Sequence, residues 1–211
     1  MNKDVKRTLT VTSMITLLPI ILGILLWNQI PDVVPTHFGA DGKPNGFSDK
    51  VIFVFVIPMI LAALQIGMGY ISYRRDTKAK KHNIAYTAVL WIIPINAVGM
   101  FAMIYTYLSG ANIDIGACTM LMLGIIYMFL GNYMPKWKQN NYWGVRTKPT
   151  MESEENWKAT HRVAGFLWVI AGAVIVINAF LKIAMTPVFI VVMTVACIIP
   201  IIYSYRFKKA H

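Results

Sequence analysis

The sequence predicts an all-α integral membrane protein of six transmembrane helices with both termini cytoplasmic, and three observations carry that reading. Six mostly apolar stretches, each about a bilayer long, divide the 211 residues. No Asp, Glu, Lys, Arg or His lies inside any of them. Seventeen of the twenty Lys and Arg fall on one side of the resulting zigzag. A hydrocarbon core about 30 Å thick takes roughly 20 residues of helix. Backbone facing lipid must satisfy its own N–H and C=O groups, so each stretch is a helix and not an open strand.

The first stretch, Thr8–Ile30, follows the basic residues Lys3, Lys6 and Arg7. A signal peptide starts the same way, but this run is longer than the roughly 7–15 residues of an h-region. It ends in Trp27-Asn28-Gln29 with no small-residue cleavage site, so it reads as a retained helix with Trp27 in the interfacial aromatic belt. The second stretch is Val51–Tyr73, with Pro58 and Gln65, and Ala63 and Gly67 as a weak close-packing pair. The third is Ile84–Leu108, where Pro94 two residues before Asn96 marks the best place for an irregular site. Gln65 and Asn96 are the mid-membrane amides; such groups ordinarily hydrogen-bond a neighbouring helix. The fourth, fifth and sixth are Ile115–Met134, Val163–Leu181 and Pro187–Tyr205. Short connections at Ser109–Asp114 and Lys182–Thr186 make antiparallel hairpins of the third with the fourth and of the fifth with the sixth. Cys118 and Cys197 fall in apolar helices and read as small packed hydrophobes.

Basic residues set the orientation. The inner segments hold Lys3 to Arg7, Arg74 to Lys81, Lys136 to Arg162 and Arg206 to Lys209; only Lys43, Lys50 and Lys182 lie outside. By the positive-inside rule the N-terminus is cytoplasmic. The net charge of +11 is therefore a topology signal, and a nucleic-acid partner is disfavoured because the charge is spread over four segments. Helices without internal ionisable groups lower the case for an ion pump or proton-coupled carrier. The chain divides into an N-terminal three-helix half, 1–108, with an outer loop at 31–50, and a C-terminal half, 109–211, with an inner segment at 131–165.

The outer loop is dense in turn formers. Asp41-Gly42 and Asn45-Gly46 favour positive φ and Pro44 restricts its neighbour, so the loop is compact. His37 with Asp32, Asp41 and Asp49 has no distinctive ligand spacing; a hydrogen-bonded structural histidine is expected, with no metal and no cofactor. Phe38 and Phe47 either dip into the interface or face something arriving from outside. In the inner segment, Asn140-Asn141-Tyr142-Trp143-Gly144 reads as a turn that places Arg146 near lipid phosphates. Ser153 is a good N-cap, Glu154 and Glu155 complement the positive helix end, and Lys158 pairs with Glu154 one turn on. Glu154, Trp157 and His161 are spaced to lie near one helical face, and a short amphipathic helix is expected to lead into the fifth membrane helix, with Trp157 anchored at the inner interface.

These segments also carry a resemblance. Gly131-Asn132-x-Met134-Pro135-Lys136, Asn140, Gly144-Val145-Arg146-Thr147, Ser153-Glu154-x-x-Trp157 and His161-Arg162 resemble the signature of the SdpI immunity protein family. Pro31-x-x-Val34-Pro35-x-His37-Phe38, Gly42 and Lys50 resemble the uncharacterised N-terminal domain that often precedes it. The resemblance implies a bacterial multipass protein of the inner membrane that protects its producer from a secreted peptide toxin. It further implies, for some members, a toxin sensor that holds a transcriptional repressor at the membrane. One departure stands out: relatives read Arg-Thr-Pro-Trp-Thr where this chain has Arg146-Thr147-Lys148-Pro149-Thr150.

Three functions follow as expectations. The first is non-enzymatic immunity, with His37, Phe38, Gly42 and Lys50 meeting an incoming amphipathic peptide. The second is signalling, with Arg146, Glu154, Trp157 and Arg162 binding a soluble regulator. The third is a lipid- or peptide-handling transporter or enzyme with a polar cavity near Asn96 and Asn132. The inner set (Asn132, Asn140, Gly144, Arg146, Thr147, Glu154, Trp157, His161, Arg162) equally suits a scaffold that caps helices and pins a loop to the headgroups. No nucleophile-and-base pair, HExxH or phosphate loop argues for an enzyme.

Overall fold

A computed structural model of the chain describes residues 3–39, 42–75 and 84–210. Six helices among them are long and apolar enough to cross a membrane, as expected. The basic connection at 76–83 and Asp41 lie outside the described residues. The chain divides into two compact units, residues 1–71 with 90–119 and residues 72–89 with 120–211.

In the first unit, α1 (Lys3–Leu25) ends earlier than its hydropathy suggests, and Trp27–Gln29 form a single 3-10 turn. The compact outer loop is a β-hairpin: β1 (Val33–Phe38) pairs antiparallel with β2 (Pro44–Asp49). Its register is Val33 opposite Asp49 and Val34 opposite Ser48, with irregularities around His37. The turn falls at Gly42, whose φ of 75° suits glycine. Asn45-Gly46, which looked like a turn, lies within β2. A π-turn, Ile52–Val56, leads into α2 (Ile57–Arg75); Pro58 cannot donate to the Val54 carbonyl, so the ladder is already broken there.

The third span is interrupted. A short α3 (Ile84–Val89) and α4 (Ile92–Leu108) are separated by a turn at Leu90–Trp91. Pro94 has no N–H, which frees the carbonyl of Leu90 four residues back. The buried Gln65 amide from α2 donates to that carbonyl at 2.6 Å and to the Thr12 hydroxyl of α1 at 2.9 Å. Gln65 thus does what a mid-membrane amide is expected to do, and its target is the proline-made vacancy. Beneath the hairpin, Ile30, Val34, Phe53, Val54, Phe101, Ile104 and Tyr105 form the core. Tyr105 donates from its hydroxyl to the Pro19 carbonyl at 3.0 Å. Gly23 is the point of closest approach, since an added Cβ would lie 2.5 Å from Val54 Cγ1. Among the described residues the Ala63–Gly67 pair is not used for packing: Ala63 is exposed and Gly67 has open space where a Cβ would go.

In the second unit, α5 (Ile115–Tyr133), from Met120 onward, packs against α7 (Glu154–Leu181) through glycines seven residues apart on each helix. A Cβ on Gly131 would stand 2.7 Å from the Gly165 carbonyl oxygen, and one on Gly172 would stand 2.5 Å from that of Gly124. The expected short amphipathic helix is the opening of the continuous 28-residue α7. Before it lies a separate five-residue α6 (Lys148–Glu152). α7 turns back into α8 (Met185–Ala210) through Lys182 and Ala184, both at positive φ. The buried Asn178 amide holds this turn, donating to the Ile183 carbonyl at 3.0 Å and accepting the Ile183 N–H at 3.3 Å. Cys197 is exposed on α8 rather than packed, and Cys118 is half-buried.

Candidate functional site

Two segments at the ends of the helical spans, one in each unit, hold the sequence-predicted residues. On the hairpin, His37 is exposed and its Nδ1 shares a hydrogen bond with the Asn45 side-chain oxygen. The Gly46 backbone lies so close that a Cβ there would be 2.8 Å from His37 Cβ. Phe38 stands edge-on to Tyr107, centroids 5.3 Å apart. The Lys50 ammonium sits 4.3 Å above the Trp27 ring, a cation–π contact at the end of α1. Asp49 accepts the Val51 N–H at 2.7 Å and so caps the helix that follows. Phe47 is 59% exposed on β2. No group of three His, Cys, Asp or Glu among the described residues is placed to hold a metal ion.

Two adjoining cavities open beside this hairpin. One, about 310 Å³, is lined by Phe53, Ile57, Leu61, Ile93 and Ala97 among others, with Thr36 and Asn96 as its polar members. The other, about 210 Å³, is lined by His37, Phe38, Ile115 and Thr119 and shares Thr36, Met100 and Ile104 with the first. Asn96 gives its amide N–H to the Ile92 carbonyl at 2.9 Å, so the expected polar cavity around it is largely apolar. Asn132 is exposed near the end of α5 and lines neither cavity.

The inner segment is built around a buried aromatic pair. Trp157 is fully buried and donates its indole N–H to the Trp137 carbonyl at 2.7 Å, so it anchors inside the protein and not at the lipid interface. His161, also fully buried, stacks on it at 4.0 Å between centroids. The ring nitrogens of His161 have opposite roles. Nδ1 faces the Trp157 carbonyl at 2.8 Å, to which only an N–H can bond, and Nε2 accepts the Val145 N–H at 3.0 Å. That pattern selects the neutral Nδ1–H tautomer. Gly144, at φ 105°, passes so close that a Cβ would lie 2.2 Å from His161 Nε2, so only glycine fits.

The rest of the segment is tied down in the same manner. Asn140 accepts the N–H groups of Tyr142 and Trp143, both at 2.8 Å, forming the expected turn. Thr147 caps α6 and shares a hydrogen bond with the Ser204 hydroxyl of α8 at 2.8 Å. Thr150 donates to the Val145 carbonyl at 2.8 Å. The departure at Lys148-Pro149 fits this turn, because Pro149 needs no N–H partner in the first helical turn. Ser153 caps α7 through the Asn156 N–H, as expected. Asn156 then donates to the Ser204 carbonyl at 2.8 Å and accepts from Thr160 at 2.9 Å. Glu154 pairs with Lys158 at 3.1 Å on the exposed side. Arg146, Arg162 and Asn132 are exposed. Sequence reasoning passed over Trp137, Asn156, Thr160 and Ser204; the four-residue spacing of Asn156 and Thr160 was the available signal.

The class these elements define is a multipass helical membrane protein with one motif-bearing segment in each unit. Residues 136–204 match the SdpI/YfhL protein family, and residues 14–62 match a domain of unknown function, DUF1648. Both resemblances read from the motifs are thereby found, and the first match runs from beside Trp137 to Ser204, the span of the tied network. No curated protein and no solved structure matches the chain.

Proposed function

We propose that this chain is an immunity or resistance protein of a bacterial inner membrane, protecting its cell against a secreted membrane-active peptide without chemistry of its own. The observation that carries the reading is the SdpI/YfhL match over 136–204 in a multipass helical membrane protein. In the orientation set by the basic residues the hairpin faces outward and the inner segment the cytoplasm. His37, Phe38, Gly42 and Lys50 then form the surface an incoming peptide meets first.

The test has two arms. In a background lacking Cys118 and Cys197, Phe47→Cys is modified by an impermeant reagent on intact cells and Lys158→Cys is not; the reverse labelling sinks the orientation. His37→Ala with Phe38→Ala then abolishes survival under challenge with membrane-active peptides at matched membrane expression. Full survival of that variant removes the hairpin from the mechanism. A second reading, a sensor holding a repressor, is favoured by the exposed Arg146, Glu154 and Arg162. Arg146→Ala with Arg162→Ala then removes induction of a toxin-responsive gene and spares protection.

A further inference from the structure

We propose that the paired cavities of the hairpin unit form a binding site for one acyl chain of a bilayer lipid, with its polar end held at the hairpin. The inference does not depend on the immunity reading. The larger cavity lies along α2 and α4, both within spans apolar enough to cross a membrane. Its volume of about 310 Å³ is at the lower edge of the range for small-molecule sites, roughly 300–1,000 Å³. Water is a poor occupant, because an ordered water wants about two to four polar partners. Here only Thr36 and Asn96 are polar, and Asn96 has spent an N–H on its own helix. Hydrocarbon is the medium around these helices, and it fills such a space without desolvating any group.

The second cavity gives the chain a direction. It meets the first at Thr36, Met100 and Ile104, and carries the Thr36 and Thr119 hydroxyls and the His37 imidazole. His37 uses Nδ1 on Asn45, which leaves Nε2 for a ligand group. A tail running past Met100 toward Phe53, Ile57 and Leu61 thus leaves an ester, hydroxyl or amide beside Thr36, His37 and Thr119. An amphiphile fits both halves; a purely polar ligand would leave the inner cavity unfilled.

The experiment uses the full chain in phosphatidylethanolamine–phosphatidylglycerol vesicles doped with a phosphatidylcholine bearing a diazirine at the end of one acyl chain. Adducts are mapped by mass spectrometry after illumination. The expected result is label on Phe53 and Ala97, which are 1% exposed and out of reach of lipid lying on the outer surface of the helices. Met100→Trp, a change at a 45% exposed position where the two cavities meet, abolishes that label and leaves the label on lipid-facing Ile60 and Leu64 unchanged. Ile93→Trp, two turns earlier on the same face of α4 and checked for folding by its melting temperature in detergent, does the same. Label confined to Ile60, Leu64 and similar outward residues overturns the proposal. So does label on Phe53 and Ala97 that neither tryptophan reduces. Labelling of the cavity by a photoreactive amphipathic peptide, with none from the lipid probe, reassigns the site to a peptide and overturns it equally.

Discussion

The hairpin and the inner segment are both motif-bearing, both at the ends of helical spans, and built on opposite plans. In the inner segment the most specific residues point inward: Trp157 and His161 are fully buried, and Gly144 is defined by the ring it must pass. On the hairpin, His37 and Phe47 point outward and Lys50 covers the end of α1. The difference teaches that a distinctive run of side chains can mark a place where backbone is held, as easily as a place where something binds. The exposed members of the inner run, Arg146, Glu154 and Arg162, sit on a frame the buried members hold.

The sharpest way to break this comparison is Trp157→Ala. It removes a fully buried indole, its hydrogen bond to Trp137 and its stacking on His161, and should cost about 3–5 kcal/mol of stability. Thermal unfolding in detergent reads this out; a wild-type melting temperature would mean the ring is not structural. Gly144→Ala comes next, at roughly 1–3 kcal/mol, because the residue must hold a positive φ while its methyl displaces His161. Loss of protease resistance in 138–153 would report it, and unchanged resistance would contradict the geometry. Gln65→Leu should cost about 1–3 kcal/mol by leaving the Leu90 carbonyl unpaired in an apolar setting. On the hairpin the expected effects are small: Lys50→Ala removes a cation–π contact worth about 0.5–1 kcal/mol at an exposed site. A hairpin change that matched Trp157→Ala in stability cost would erase the contrast between the two regions.

Hydropathy made the six helices legible because lipid leaves few alternatives to an uncharged apolar run. Local chemistry was legible too: the Ser153 cap, the Asn140 turn and the Gln65 interhelical bond all follow from what those side chains can do within a few residues or across one neighbour. The hairpin was not, because Pro31, Pro35 and Pro44 mask its strand propensity and the strongest turn dipeptide, Asn45-Gly46, lies inside β2. Trp157 was misplaced for a different reason. On an amphipathic helix beside a membrane an aromatic faces either lipid or protein, and only the partner, Trp137, twenty residues earlier, decides between them. The glycine pairs of α5 and α7 were silent because a seven-residue spacing of small residues means nothing until the facing helix is known.

The break at Leu90–Trp91 has a consequence for how the chain is made. Any intermediate with the third span in the bilayer and the second elsewhere carries an unpaired Leu90 carbonyl in hydrocarbon, a cost of several kcal/mol. Gln65, which relieves it, belongs to the span synthesised just before. Translation order therefore delivers the donor ahead of the acceptor, so a partner for the Leu90 carbonyl already exists when the third span is made.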